Sequence, residues 1–365
     1  MQLGRRHFLV GAAALSLSGT SGWAAAAGPA YLAAARDPDG GYGLYGLTDD
    51  GAALFHIPLP GRGHAGAAHP HRPEAIAFAR RPGTFALVID CAEGLSRARL
   101  EAPEGRHFYG HGTFSADGAL LYTPENDFEA GEGRIGVWDA SPSGGYARIG
   151  EFSSGGIGPH DTMLMPDGCH LIVANGGIQT HPDSGRAKLN LPTMRSTLAL
   201  VSLRDGQMVQ EWALPETLHL NSMRHLAMTR DGRVAAAMQW QGAVTDVPPL
   251  LALLDTGAQH LRLLAAPEPV QRQMQGYAGS VAFDAGGTSV AITSPRGGQL
   301  IAFDAASGEV IGLHRQPDIC GLATSPSGFI VSDGQGGTCL LDGEARAHGQ
   351  RRHNAQWDNH VVRLV

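Results

Sequence analysis

The sequence has almost no lysine. Lys188 is the only one in 365 residues, and acids outnumber basic residues 34 to 27, for a net charge of −7 at pH 7. A nucleic-acid surface needs a clustered basic face to displace phosphate counterions, so this composition speaks against nucleic acid as a partner. Aromatic residues make up only 6%, and the 43% hydrophobic content is broken into short runs. None reaches the roughly 20 apolar residues that a bilayer span requires, so no stable membrane insertion is expected. Cysteine is scarce as well: Cys91, Cys169, Cys320 and Cys339 show no Cys-x-x-Cys pair and no metal-ligand spacing. Either Cys320 and Cys339, the nearest pair, form a disulfide, or the thiols stay free and buried. There is no Gly-x-Ser-x-Gly elbow, and the Gly-rich "SPRGG" and "GQGG" precede strands instead of helices. Neither an acyl-transfer nucleophile nor a phosphate-cradling loop is indicated.

Glycine, by contrast, is abundant, with 51 residues, and it falls at repeating positions. Six segments read as apolar strand, tight turn, apolar strand: "GHAGAAHPHRPEAIAFAR" from Gly63, "GHGTFSADGALLYTPEND" from Gly110, "GIGPHDTMLMPDGCHLIVANGG" from Gly156, "RHLAMTRDGRVAAAMQW" from Arg224, "GSVAFDAGGTSVAITSPRGG" from Gly279 and "CGLATSPSGFIVSDGQGG" from Cys320. The turn positions Arg72, Gly118, Gly168, Gly232, Gly287 and Gly328 recur every 41 to 64 residues, close to the length of a four-stranded propeller blade. Third strands such as "RIGVWDASPSG" and "QLIAFDAASG" and fourth strands such as "ARIGEFSS" complete the units. At the ends, "NHVVRLV" looks like an inner strand without partners, and "YLAAARD", "GYGLYGLTD" and "ALFHIPLPG" look like three strands without an inner one. Pairing them closes a ring and removes the exposed sheet edge. The expected fold is all-β, a single seven-bladed β-propeller over residues 28–365 in which no blade needs a helix. The longest insertion, "NGGIQTHPDSGRAKLNLPTMRS", falls between the second and third strands of the third blade.

Residues 1–27, with Arg5-Arg6 before Phe8-Leu9, a weakly apolar stretch and small residues at Ala24 to Ala27, read as a twin-arginine export signal. A periplasmic protein, exported already folded, is the expectation.

In an antiparallel blade, the start of the inner strand and the loop between strands two and three share one face. The inner-strand starts carry His64, His111, His160 with Asp161, His225, Ser280, Gly321 and His360. The same face receives Glu125, Asn126, Asp127 and Glu129, then Asn175, His181, Asp183 and Arg186, and finally Gln239, Gln241 and Arg296. Two readings stand side by side. Neutral imidazoles gathered around a channel mouth suit iron, copper, zinc or nickel, with His111, His160, His225 and His360 as ligands and Asp161 and Glu125 as oxygen donors or orienting groups. Alternatively, each histidine makes internal hydrogen bonds, as the Gly-His of WD-type repeats does. "PENDFEAGEG" is either a calcium loop or a solvated acidic turn. "THPDSGRAKLN" either grips an anion or partner or is a surface loop held by its own ion pairs.

The strings "GRHFYGHGTFSADGALLYTPENDFEAGEGRIGVWDA", "GIGPHDTMLMPDGCHLIVANGGIQTHPDSGRAKLN", "RHLA", "GSVAF", "TSPRGG" and "WDNH" resemble those of a bacterial family known as domain of unknown function 1513. The resemblance implies a propeller like that of quinoprotein amine dehydrogenase β-chains. It also implies a role beside imelysin-like or haem-containing periplasmic proteins in iron acquisition. It supplies no catalytic residues. The resulting expectation is a non-enzymatic binding protein for a metal ion, iron or copper with calcium as an alternative, or for a metal-loaded partner. A cation-dependent, lactonase-like hydrolase built on "PEND" and Asn175, and a docking scaffold that uses the rim, are the competing classes.

Overall fold

The computed structural model describes residues 22–80, 84–185 and 187–364. Its strands form seven antiparallel sheets, six of four strands and one of five, in which the inner strand is split in two. Six follow one another along the chain, over residues 63–101, 106–153, 159–213, 221–264, 280–315 and 319–352. The seventh takes its inner strand, Gln356–Arg363, from the C-terminal end and its outer three, Tyr31–Arg36, Tyr42–Leu47 and Ala53–Leu59, from the N-terminal end. The ring therefore closes as the sequence pattern anticipates, and the C-terminal strand gains the three partners that it lacks in sequence.

Burial follows strand rank. The second and third strands lie between neighbouring blades and are covered on both faces, so they read as near-continuous apolar runs: His170–Asn175 and Ser289–Ser294 are buried almost throughout. Fourth strands such as Ala147–Ser153 and Ala347–Arg352 face solvent and are mostly exposed. Between blades one and two, Phe78, Phe108 and Trp138 interlock, with ring centroids 5.6 and 6.1 Å apart. Burying one such side chain contributes about 1.5–3 kcal/mol.

Among the described residues, no blade contains an α-helix, and of the two readings of the cysteines the free thiols hold. One helix does form, Glu268–Gln273, between blades four and five. Its buried Gln271 donates from Nε2 to the Pro248 carbonyl at 2.8 Å and accepts from the Ala266 amide at 3.0 Å, bracketing a non-strand connection whose backbone groups need partners. The Cys320–Cys339 disulfide does not form, and all four thiols are free. Cys320 sits on the inner strand and Cys339 on the third strand of the sixth blade, with Gly328–Asp333 between them. Cys91, Cys320 and Cys339 are buried, whereas Cys169 is exposed.

The twin-arginine pair and the apolar stretch after it lie outside the described residues. Gly22–Ala26 forms one 3-10 turn, and the Trp23 indole donates to the His69 carbonyl at 2.9 Å. Among the described residues, no helix is long and apolar enough to cross a membrane.

Candidate metal centre in the propeller channel

Each histidine reaches the channel through an irregularity in its inner strand. In blade three Pro159 pairs with Asn175 and Asp161 with Ala174, so His160 is an extra residue. In blade one Gly63 pairs with Ala79 and Gly66 with Ala77, a bulge that holds His64. Met223 and His225 face the adjacent residues Met238 and Ala237 in blade four. In blade two the inner strand breaks into Arg106–Phe108 and Thr113–Phe114, with His111 in the gap. In blade seven the bulge between Trp357 and Val361 holds His360. A bulge bends its strand and re-aims a side chain, here inward. Blade six bulges at Cys320-Gly321 without offering a histidine. Blade five, which carries Ser280, pairs without interruption.

The five imidazoles meet. Ring centroids of His225 and His360 are 4.6 Å apart, those of His160 and His225 4.7 Å, and those of His111 and His360 4.9 Å. His64 joins at 4.9 Å from His360 and 5.3 Å from His111. Two triplets, His64–His111–His160 and His111–His225–His360, bring ligating atoms within 4.8 Å of one another. Donors about 2.1 Å from an ion lie about 3–3.5 Å apart, so modest ring rotations would complete a sphere.

Burial sets the protonation states. His111 and His360 are pushed down to about 3, chiefly because the cationic ring is disfavoured away from water. His160 and His225 are held well below the ordinary value by burial and by neighbouring histidines and Arg224. All four are neutral at pH 7 and carry a lone pair. Asp161 lies against them, with Oδ1 3.4 Å from His111 Nδ1. Burial raises its carboxyl to about 7, despite amide hydrogen bonds from Leu226 at 2.9 Å and Thr162 at 2.8 Å. His111 places Nδ1 beside Asp161, and its Nε2 is the ring nitrogen left without a partner. A carboxylate fixing the tautomer of a ligating histidine is a recurrent supporting device of metal sites. Asp161 stands in that position relative to His111.

The buried nitrogens His111 Nε2, His160 Nδ1, His225 Nδ1 and His360 Nε2 have no hydrogen-bond partner among the described residues. Each such group costs about 1–3 kcal/mol when left unsatisfied. Internal hydrogen bonding of the WD type therefore does not account for these atoms.

Two cavities flank the cluster. One of about 400 Å³ is lined by His64, His160 and His225 together with Gln241 and Arg296. The other, about 360 Å³, meets His111, His225 and His360 and is walled largely by small apolar residues. The five histidines plug the channel between them. The sequence reading missed Tyr109, Arg80, Arg224 and Tyr277 on the first wall. Arg224 directly precedes His225 in "RHLA", and only the bulge there brings both to the channel.

The other candidates lie elsewhere. Glu125, Asn126 and Asp127 belong to the strand Leu120–Asp127, not to a solvated acidic turn. Glu125 is fully buried, pairs with Arg148 at 2.5 Å and Arg106 at 3.6 Å, and accepts from Thr123. Its carboxyl is raised by burial against the pull of Arg148. Asp127 pairs with Arg106 at 3.3 Å, and Asn126 bonds His107 and the Thr180 carbonyl. Asn175 is tied at both ends to Ser154. His181 caps the turn Pro182–Ser184, near Glu129 at 3.6 Å and Asp183 at 3.7 Å. These side chains hold blades two and three together and do not reach the histidines. Arg186 lies outside the described residues.

The model of a family described as "Protein of unknown function (DUF1513)" matches residues 57–364, nearly the whole ring and all five clustered histidines. The chain belongs to the DUF1513 family. No curated protein matches it. Among solved structures, this DUF1513 chain is similar to BamB from Moraxella catarrhalis, with a TM-score of 0.55 and 13% identity over 92% of this chain and 90% of that one. It is also similar to Kuenenia stuttgartiensis hydrazine synthase, with a TM-score of 0.59 and 13% identity over 89% and 96%. At this identity the likeness is one of fold alone.

Proposed function

We propose that this DUF1513 protein is a metal-binding propeller of the periplasm that holds one transition-metal ion, iron or copper, in the histidine cluster of its channel. The observation that carries the reading is the set of four buried, neutral imidazole nitrogens with no protein partner, in rings that with His64 form a chain of contacts in which each lies within 6.0 Å by centroid of at least two others. A borderline divalent ion held by His111, His225 and His360 would satisfy the orphaned nitrogens of that triplet, with His160 completing the set after ring rotation, and imidazole donors suit it better than they suit calcium. His111, His160, His225 and His360 are the ligands, and Asp161 orients His111. Imelysin-like or haem-containing periplasmic proteins are the proposed partners in iron handling. The proposed role is binding.

The test is elemental analysis of protein exported natively and purified without a metal-affinity tag, beside the His111→Ala/His225→Ala variant. The expected result is one iron or copper per chain, lost in a variant whose circular dichroism is unchanged. A wild-type protein that arrives without metal and takes up no added Fe²⁺, Cu²⁺ or Zn²⁺ would overturn the reading.

A further inference from the structure

The cavity of about 400 Å³ above the histidines is a cationic vestibule. Arg80, Lys188, Arg224 and Arg296 line it, from the end of the second strand of blade one, the insertion of blade three, the inner strand of blade four and a turn of blade five. Among the described residues, no carboxylate lines it, although acids outnumber basic residues in the chain as a whole, and the only lysine stands there. The Arg296 guanidinium lies 4.4 Å over the Tyr277 ring, which holds its plane. Arg80 is braced from behind by Asp358 at 3.2 Å. The cations feel one another: burial, Arg224 and Arg296 together lower the Lys188 amine. A vestibule lined by cations and by no carboxylate presents a field that favours an anion.

We propose that this vestibule binds a small polycarboxylate anion across Lys188, Arg224 and Arg296, directly above the histidine cluster. Guanidinium forks take carboxylates two oxygens at a time, and cations spread over four blades match several spaced charges better than a single compact one. The next step rests on the metal reading. A bare cation entering from this side meets the positive field of Lys188, Arg224 and Arg296, whereas a metal carried as its carboxylate chelate is attracted. A carboxylate oxygen from above then adds a ligand to the imidazoles. The cavity on the other side, with its apolar walls and single arginine, Arg363, offers no such field.

Titration calorimetry on the full exported chain tests this in separate arms, with citrate alone, inorganic phosphate alone and Zn²⁺ alone as probes. Citrate is expected to bind one-to-one, at least tenfold tighter than phosphate, and more weakly as salt is raised. The Lys188→Ala/Arg296→Ala variant should lose at least tenfold, and Arg296→Lys, which keeps the charge but not the fork, should lose less. Absence of citrate binding, or equal citrate and phosphate affinities unchanged in the double variant, overturns the anion site. Zinc uptake without citrate binding removes this inference and leaves the metal reading intact. Citrate binding to a protein that takes up no zinc does the reverse.

Discussion

A metal entering the histidine cluster should displace about one proton at pH 6.0, and the structure says which one. An ordinary histidine, with a pKa near 6.5, carries about three-quarters of a proton at that pH. Four solvated ligands would therefore release about three protons on binding. In the folded protein, burial has already driven those protons off: His111 and His360 sit at about 3, and His160 and His225 well below the usual value. Asp161 is the opposite case. Raised to about 7, it still holds about nine-tenths of a proton at pH 6.0 and gives it up when a cation arrives beside His111. Metal affinity should then rise about tenfold per pH unit below 7 and flatten above it, because only one proton competes. The assay is zinc calorimetry at pH 6.0 in two buffers of different ionisation enthalpy, and Asp161→Asn should bring the release toward zero. Release of three or more protons would show that the histidines titrate as solvated groups and would refute the reasoning.

Three further outcomes follow from the packing. Gly110 has φ +99°, and a Cβ there would overlap the His64 ring; Gly110→Ala should weaken zinc binding about tenfold without removing a ligand, and unchanged affinity would remove His64 from the site. Arg148→Ala takes the nearer guanidinium from the buried Glu125 carboxylate and leaves Arg106 at 3.6 Å; it should lower stability by about 1–3 kcal/mol in urea unfolding, with no measurable loss counting against a buried ion pair. Ending the chain at Ala355 removes the inner strand of blade seven and opens the ring; light scattering should show aggregates instead of a soluble monomer.

The fold was legible because a propeller repeats its local code. Turn glycines at Gly118, Gly168, Gly232 and Gly287, all with positive φ, mark a hairpin that each blade must make, and unpaired strand patterns at the two ends call for closure. Glu268–Gln273 was not legible, since a single short helix capped by Pro267 has no periodicity to announce it. The acidic string "PEND" looked like a solvated loop because its neighbours Arg106 and Arg148 are distant in sequence. Only strand pairing with Arg106–Phe108 and Glu132–Asp139 turned it into a buried ion-pair network.

The same division runs through the site. The sequence by itself determined that histidines recur at one repeat position, and a ring necessarily brings such a position to its axis. It determined neither the distance at which they meet nor which nitrogen each presents. Those depend on a bulge in each histidine-bearing inner strand, on Asp161 reaching His111 from the next blade, and on side chains packed between blades that set the diameter of the channel. The vestibule belongs wholly to the tertiary structure. Arg80, Lys188, Arg224 and Arg296 are spread over more than two hundred residues of chain, and only curvature accumulated blade by blade places them around one cavity.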